Sequence, residues 1–382
     1  MSARGAPGKL TSSGVAPTIR LMPNTLTLHE LHVSAGAVVE EACGWLLPVH
    51  YGDPAAEHRA VRAAAGLVDR SLVGKVEVTG WDRVSFLQGM LTNDLKALTP
   101  GQACPAAFLD AHGKVQALLT VLALEDRLLL ELPPGMTEKT LQTLDKFLIS
   151  EKVEFTDVTE AFALFALHGP KAAAVLSDAG GSTLELEPNR HAERTVANAS
   201  ARVCRVDELG VPGYHVWVAC ELAAEVWRRL LQTGRPHGLR PVGGSALTVL
   251  RVEAGVPCFG HDVDDSTLLM DAPLEHLVSY TKGCYIGQEI VARIKYRGHV
   301  NRLLTGITLD STEVPDHGAA VLAEGGEIGR VTSAVYSLTL GRPIALAYLR
   351  REHLEPGTPV MVRHHEGTVP ARVTALPFVP PA

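Results

Sequence analysis

The chain has 382 residues, of which 46% are hydrophobic and 20% charged, and its formal net charge is -7 at pH 7. This length exceeds what one hydrophobic core supports, so we expect a soluble globular protein of two or three domains. The negative charge argues against broad nucleic-acid binding, and no apolar run approaches the roughly 18 residues that span a bilayer.

The six cysteines are scattered, with no C-x-x-C pair and no regular spacing. This arrangement argues against a disulfide framework, a structural zinc site or an in-chain ligand set for an iron–sulfur cluster. The carboxylate-rich segment 261–265 lacks the ligand spacing of a calcium loop and reads as a polar turn. We therefore predict no metal site.

The N-terminal segment carries three basic residues and no acid before Glu30. Such a composition weakly resembles a transit peptide, but a disordered tail or an over-extended start codon explains it equally well. We predict a flexible tail over residues 1–44 and a cytoplasmic location, with a mitochondrial location as the alternative.

Regular elements are predicted in chain order from residue 53. Asp53 as N-cap and Pro54 at the first helical position predict a helix that ends at Gly66. Alternating or apolar runs predict strands at 75–79, 115–124, 128–132, 162–167 and 214–219, and apolar periodicity predicts helices after residues 80, 137, 170 and 222 and over 245–254. Residues 179–200 read as a loop-rich excursion. Beyond residue 303, short strands separated by turns predict a small closed β-domain.

The octapeptide Lys282-Gly283-Cys284-Tyr285-Ile286-Gly287-Gln288-Glu289 is the most informative feature of the chain. It places a thiol near a cation and ahead of an apparent helix, since Ile286, Ile290 and Ile294 recur every four residues. A neighbouring ammonium group and a helix N-terminus both lower a thiol pKa, which predicts a reactive Cys284. The alternative is a buried, inert cysteine in a turn.

Two further groups of charged residues are candidates for ligand binding. Arg251 and Glu253 lie two residues apart near a helix end, where Arg251 could hold a carboxylate or a heterocycle edge, or form a structural salt bridge. The run from Val291 to Arg302 contains several basic residues and no acid. It indicates either a local anion site or a solvated basic face.

These motifs resemble the YgfZ-type folate-binding proteins of the glycine-cleavage T-protein superfamily. The octapeptide carries the resemblance, together with Arg293, the segment 296–298, and the segments 91–95, 250–255 and 329–333. The resemblance covers roughly residues 45 to 380.

The resemblance implies an α+β fold: a three-domain, T-protein-like ring around a central folate channel, with a C-terminal β-barrel. We expect a first folate-binding domain from residues 45–80 and 160–240, a second from 81–159 and 241–294, and a barrel domain from 295–382. The implied cofactor is tetrahydrofolate. The candidate catalytic residue is Cys284, and the candidate folate-binding residues are Arg251, Glu253, Lys282, Tyr285 and Gln288.

The chain also departs from the T-protein pattern. The T-protein reads Gly-Gly-Ile-x-Asp-Asp where this chain has residues 113–118, so its catalytic aspartate is absent. Its pterin-holding glutamate lies in a Gly-Glu-Asp-Gly turn, which here is Gly210-Val211-Pro212-Gly213. An aminomethyl transfer needs a carboxylate to assist proton movement at the folate nitrogen, and these residues supply none.

Three functional hypotheses follow. The leading one is a tetrahydrofolate-binding accessory protein for iron–sulfur cluster assembly or repair, including enzymes that modify tRNA, acting through Cys284. Its partners would be folate and iron–sulfur client or assembly proteins, with no nucleic acid and no membrane. The alternatives are an aminomethyltransferase of T-protein type and a non-catalytic folate-sensing scaffold.

Overall fold

The computed structural model describes residues 23–42, 44–324, 326–365 and 367–381. Within these ranges it contains eight α-helices and twenty β-strands. The helices are α1 (His29–Ser34), α2 (Pro54–Ala63), α3 (Arg83–Met90), α4 (Thr137–Asp145), α5 (Ala172–Gly180), α6 (Ala223–Gly234), α7 (Gly244–Glu253) and α8 (Gln288–Arg297).

The strands up to the middle of the chain are β1 (Asn24–Thr25), β2 (Val38–Ala42), β3 (Trp45–His50), β4 (Ala65–Asp69), β5 (Gly74–Thr79), β6 (Ala103–Leu109), β7 (Val115–Ala123), β8 (Leu128–Leu132), β9 (Glu154–Asp157) and β10 (Phe162–His168). The remaining strands are β11 (His191–Val196), β12 (Ala199–Arg205), β13 (Gly213–Ala219), β14 (Leu239–Pro241), β15 (Arg302–Leu309), β16 (Ala320–Ala323), β17 (Gly326–Ser337), β18 (Arg342–Arg350), β19 (Pro359–His364) and β20 (Gly367–Thr374).

Two mixed layers of sheet and helix form the larger part of the molecule. The first sheet has six strands in the order β11-β12-β13-β10-β4-β14, and α5 and α6 pack on one of its faces through side chains such as Val175, Trp227 and Phe165. The second sheet has five strands in the order β6-β7-β8-β5-β9, and α3 and α4 cover one face. Each sheet thus buries one apolar face against helices.

The uncovered faces of the two sheets meet each other. Leu122 and Leu129 of the second sheet pack against Leu164 and Trp217 of the first in one buried cluster. Polar side chains that lie on these inner faces are therefore held between two layers.

The C-terminal residues form a closed six-stranded barrel in the order β15-β18-β17-β16-β19-β20. Its interior is filled by small and branched side chains such as Ile307, Val331 and Ala347. Helix α7 joins the barrel to the rest of the molecule, because Val252 shares a buried cluster with Val335 and Leu346. The predicted α+β fold with a C-terminal β-barrel is confirmed.

Most predicted elements agree with the structure. Asp53 caps α2 by accepting a hydrogen bond from the Ala55 amide at 2.9 Å. The predicted strands at 115–124 and 128–132 form the antiparallel pair β7 and β8. The prediction that residues 179–200 form a loop-rich segment is wrong, because β11 and the start of β12 form an antiparallel hairpin there. Exposed polar residues in the middle of β11, such as Glu193, hide its strand pattern.

The structure describes only part of the predicted N-terminal tail, and it leaves the predicted domain borders open. Of the tail, residues 1–22 and 43 lie outside the described residues, whereas 23–42 contain β1, α1 and β2. The domain borders stay a prediction, although β5, which they assign to the first domain, pairs within the second sheet. No helix among the described residues is long and apolar enough to cross a bilayer.

Candidate functional site

The octapeptide 282–289 forms a turn that leads into α8. Gly287 precedes the helix with φ +82, and a Cβ there would lie 2.6 Å from the carbonyl oxygen of Asp110. The turn therefore requires glycine both for its backbone conformation and for its close approach to the β6–β7 connection. The Oε1 atom of Gln288 accepts a hydrogen bond from the Tyr285 amide at 3.3 Å, so this predicted ligand residue stabilises the turn itself.

Lys282 is directed away from solvent and toward helix α3. Its ammonium group donates to the carbonyl oxygens of Gln88 and Leu91 and lies 5.1 Å from the centre of the Tyr285 ring. Burial lowers the pKa of Lys282 to about 8 and raises that of Tyr285 to about 12. A cation at the carbonyl end of a helix is favourable, and it ties the octapeptide to the second sheet.

Cys284 is an exposed free thiol. The ammonium group that the sequence analysis placed beside it bonds to the α3 carbonyls instead, and no hydrogen bond to the Cys284 Sγ occurs among the described residues. Helix α8 begins four residues later, at Gln288. The catalytic role of Cys284 stays a prediction.

A cleft of about 470 Å³ lies between this turn and the end of α4. Tyr285 and Gln288 line it beside Asp110 and Gln116. Two of the predicted ligand residues thus share one cleft. Arg251 and Glu253 are not among its lining residues.

The Arg251 guanidinium forms hydrogen bonds that link α7 to the barrel. Its Nη1 donates to Asp262 Oδ2 at 2.8 Å and its Nη2 donates to Ser333 Oγ at 2.8 Å, while Ser333 Oγ donates to the other carboxylate oxygen at 2.6 Å. The Asp262 side chain is fully buried and that of Arg251 is 17% exposed. The structural salt bridge, rather than a ligand contact, is what the geometry shows.

Glu253 is the centre of a second buried network. Its carboxylate accepts hydrogen bonds from Arg62 at 2.7 Å and from the Ser337 hydroxyl at 2.6 Å, and it lies 2.9 Å from His58 Nε2. Burial alone would raise the pKa of Glu253, but these donors hold it down at about 2. The side chain is fully buried, so it joins α2, α7 and the barrel and has no surface left for a ligand.

The sequence analysis missed a third set of charged groups, which lies where the two sheets meet. Glu131 on β8 bonds to His215 Nδ1 at 2.7 Å and accepts from Trp217 Nε1 at 2.6 Å. On the other side of His215, Glu208 Oε1 lies 3.6 Å from Nε2 and pairs with the Arg70 guanidinium. We call Glu131, His215, Glu208 and Arg70 the inter-sheet chain.

The charge states within the inter-sheet chain follow from its contacts. Burial alone would lower the pKa of His215, but Glu131 and Glu208 together raise it to about 9. Burial likewise acts to raise the pKa of Glu208, but Arg70 and His215 hold it well below its usual range. At neutral pH, charges alternate along the inter-sheet chain: Glu131 is negative, His215 positive, Glu208 negative and Arg70 positive.

The two ends of the inter-sheet chain differ in their exposure to solvent. The His215 and Glu131 side chains are 4% and 7% exposed, whereas those of Arg70 and Glu208 are 31% and 29% exposed. Arg70, His168 and His215 all approach the Oε1 atom of Glu208. No hydrogen bond to its Oε2 atom occurs among the described residues, so this atom of a partly exposed carboxylate can accept one from a ligand.

The inter-sheet chain lies near the positions where the T-protein acids are missing. Thr120 pairs with Glu131 across β7 and β8, and Leu118, two residues before Thr120, lies on the same face of the sheet. Ala117 points the other way, into the core beneath the sheet. One signal in the sequence could have revealed the chain: Glu131 and His215 each interrupt an otherwise apolar strand, and buried charges occur in pairs.

Comparisons with known proteins cover almost the whole molecule. The model of the GCVT N-terminal domain matches residues 28–282, and that of the glycine cleavage T-protein C-terminal barrel domain matches residues 302–380. Aminomethyltransferases of Saccharopolyspora erythraea, Symbiobacterium thermophilum and Bacillus subtilis are 34%, 36% and 32% identical to this chain. These alignments cover 92–93% of this chain and 96–98% of the relatives.

A solved structure gives the same result. The glycine cleavage system aminomethyltransferase T of Bartonella henselae superimposes with a TM-score of 0.87 at 28% identity, covering 94% of this chain and 98% of that one. The predicted T-protein-like fold is confirmed.

These relatives correct the leading functional hypothesis. The prediction of an accessory protein for iron–sulfur assembly was wrong, because relatives matching along nearly the full chain are named aminomethyltransferases. The predicted iron–sulfur partners and the link to tRNA modification lose their support with it. The two domain matches and the full-length relatives show that the chain belongs to the glycine cleavage T-protein family.

Proposed function

We propose that this chain binds tetrahydrofolate and catalyses one-carbon transfer of the aminomethyltransferase type. Its relatives carry that name over nearly their full length, and it shares their fold. Within the site, the proposal rests on the position and charge of Glu208. This ionised, partly exposed carboxylate lies two residues before the Gly210–Gly213 turn, where the T-protein has its pterin-holding glutamate.

The Glu208 carboxylate is better placed to bind the folate pterin than the charged groups of Arg251 and Glu253 are. Arg251 and Glu253 have their charged groups taken up by protein partners. The Oε2 atom of Glu208 is left available, and a pterin edge presents neighbouring N–H donors that match a carboxylate. Arg70 and His215 keep that carboxylate negative, so it would accept these hydrogen bonds at neutral pH.

Tetrahydrofolate, when bound, accepts the one-carbon unit at a ring nitrogen. The protein would contribute the hold on the pterin through Glu208, while β7 presents Ala117 and Leu118 at the position of the T-protein acid. General acid–base assistance typically contributes 10²–10⁴-fold to a rate. Because β7 offers no such group there, we expect slow turnover with ordinary folate affinity.

The direct test combines the purified full-length chain with an aminomethylated lipoyl carrier and tetrahydrofolate. Folate-dependent release of ammonia supports the proposal, and no release above the protein-free background contradicts it. Glu208→Gln should weaken tetrahydrofolate binding at least tenfold in a separate binding titration, since it removes a charge-assisted acceptor. The matched control is Glu160→Gln at an exposed position, which should bind folate like the wild type.

The narrower resemblance to the YgfZ-type branch rests on the octapeptide 282–289 and stays a prediction. Cys284 is exposed there and could act in the same reaction only as an auxiliary group. Ammonia release by a Cys284→Ser variant measures this role. A rate equal to that of the wild type would remove Cys284 from the catalytic residues.

A further inference from the structure

The barrel brings two imidazoles and a carboxylate together at one end. His364 ends β19, His365 follows it in the β19–β20 connection, and Glu313 lies in the segment between β15 and β16. One ligand atom from each of the three residues lies within 4.8 Å of the other two. The His364 Nε2 atom is 2.7 Å from Glu313 Oε2, and the two imidazole rings have their centres 4.0 Å apart.

His364 is the least exposed of the three residues. Its side chain is only 9% exposed, although it lies near the tip of a hairpin. Its Nδ1 atom is buried and has no hydrogen-bond partner among the described residues. Nε2, the nitrogen that faces Glu313, is the atom that an ion shared with Glu313 would contact, so burial of the ring holds one ligand atom in place.

We propose that Glu313, His364 and His365 form a binding site for a divalent transition-metal ion of the Zn²⁺ class. Two imidazoles and one carboxylate suit zinc, cobalt or nickel, whereas magnesium and calcium prefer oxygen ligands alone. In a tetrahedral zinc site, ligand atoms lie about 3.3 Å apart, because zinc–ligand bonds are about 2.0–2.1 Å long. The Glu313 and His365 side chains are exposed and so can rotate to bring the three ligand atoms, now within 4.8 Å of one another, to that spacing.

The number of protein ligands determines how readily the ion would exchange. Three protein ligands leave a fourth position for water, so the ion would exchange readily, unlike that of a closed four-ligand site. The ion would link the β19–β20 hairpin to the segment after β15. It would therefore stabilise the barrel without touching the inter-sheet chain, and the proposal is independent of the proposed function.

The test is a titration of the full-length chain with ZnCl₂ by calorimetry and with CoCl₂ by visible absorption. We expect one site that His365→Ala and Glu313→Gln each weaken at least tenfold. The Co²⁺ complex should show tetrahedral d–d bands without a thiolate charge-transfer band. Both substitutions are at exposed positions, so the fold should survive them.

The matched control is His317→Ala in the second histidine pair of this region. His317 and His261 have ring centres 4.8 Å apart, but His317 Nδ1 is already bonded to the Thr332 carbonyl oxygen at 2.6 Å. This variant should bind Zn²⁺ like the wild type. Three results would overturn the proposal: no saturable binding, equal binding by the His365→Ala variant, or a thiolate band that moves the ion to a cysteine.

Discussion

Replacing Glu131 with Gln should remove a pH-dependent part of the stability. Glu131 and Glu208 raise the pKa of buried His215 from 6.5 to about 9, and this rise corresponds to about 3 kcal/mol of stabilisation. Between these two values the native state holds a proton that the unfolded state has lost. The contribution of His215 is therefore complete below pH 6.5 and decreases by about 1.4 kcal/mol per pH unit up to about pH 9.

Glutamine keeps the shape of Glu131 and can still accept from Trp217, but it brings no negative charge to hold the proton on His215. Because Glu208 still faces His215, we expect the variant to lose the larger part of the ~3 kcal/mol at pH 6.5, with a difference that shrinks toward pH 9. Burial lowers the pKa of Lys282 to about 8 in both proteins, so its effect cancels in the difference. Glu131 partly offsets the same effect of burial on Lys75, so the pKa of Lys75 falls further in the variant and adds a pH dependence of the same sign as that of His215.

The assay is urea unfolding of both proteins at half-unit steps from pH 6 to pH 9, followed by tryptophan fluorescence. Urea is chosen because it does not screen charges. The Glu160→Gln variant provides the baseline for loss of an exposed carboxylate. A stability difference that does not change with pH would refute the reasoning, because it would mean that Glu131 does not control the protonation of His215.

The remaining predictions concern other parts of the molecule. Glu253→Ala should reduce the free energy of unfolding by about 3–5 kcal/mol in the same urea assay, because it leaves the buried end of Arg62 without its carboxylate; no measurable change would contradict the proposed network. Gly287→Ala should lower the melting temperature measured by calorimetry, since its φ of +82 and the 2.6 Å approach to a carbonyl oxygen exclude a Cβ. Cys284 should be alkylated rapidly in mass-spectrometric labelling, whereas Cys204, whose pKa burial raises, should stay unmodified in the folded protein; equal labelling would contradict the burial of Cys204.

The sequence predicted those parts of the fold that local patterns determine. Asp53 followed by Pro54 is a complete helix start, and the alternation in 115–132 predicts β7 and β8. The hairpin at 191–205 could not be predicted in the same way, because β11 is an edge strand with polar residues on its exposed middle. Its pairing with β12 depends on the tertiary structure and cannot be predicted from a local sequence pattern.

The site was harder to predict, because spacing along the chain does not show which partners a charged group finds. Lys282 lies two residues from Cys284 in sequence, yet its ammonium group bonds to the carbonyl end of α3, which is 191–194 residues away. Arg251 and Glu253 read equally well as ligand residues or structural ones, and only the folded contacts with Asp262 and Arg62 decide between them. The inter-sheet chain combines four segments that meet only after both sheets have formed.

The most direct measurement for the central claim is a crystal structure of the full-length chain with a stable reduced folate. The account predicts that the pterin edge lies within hydrogen-bonding distance of the Glu208 carboxylate, beside Arg70 at the boundary of the two sheets. A pterin bound elsewhere, such as in the cleft beside Tyr285 and Gln288, with Glu208 contacting only protein, would contradict it.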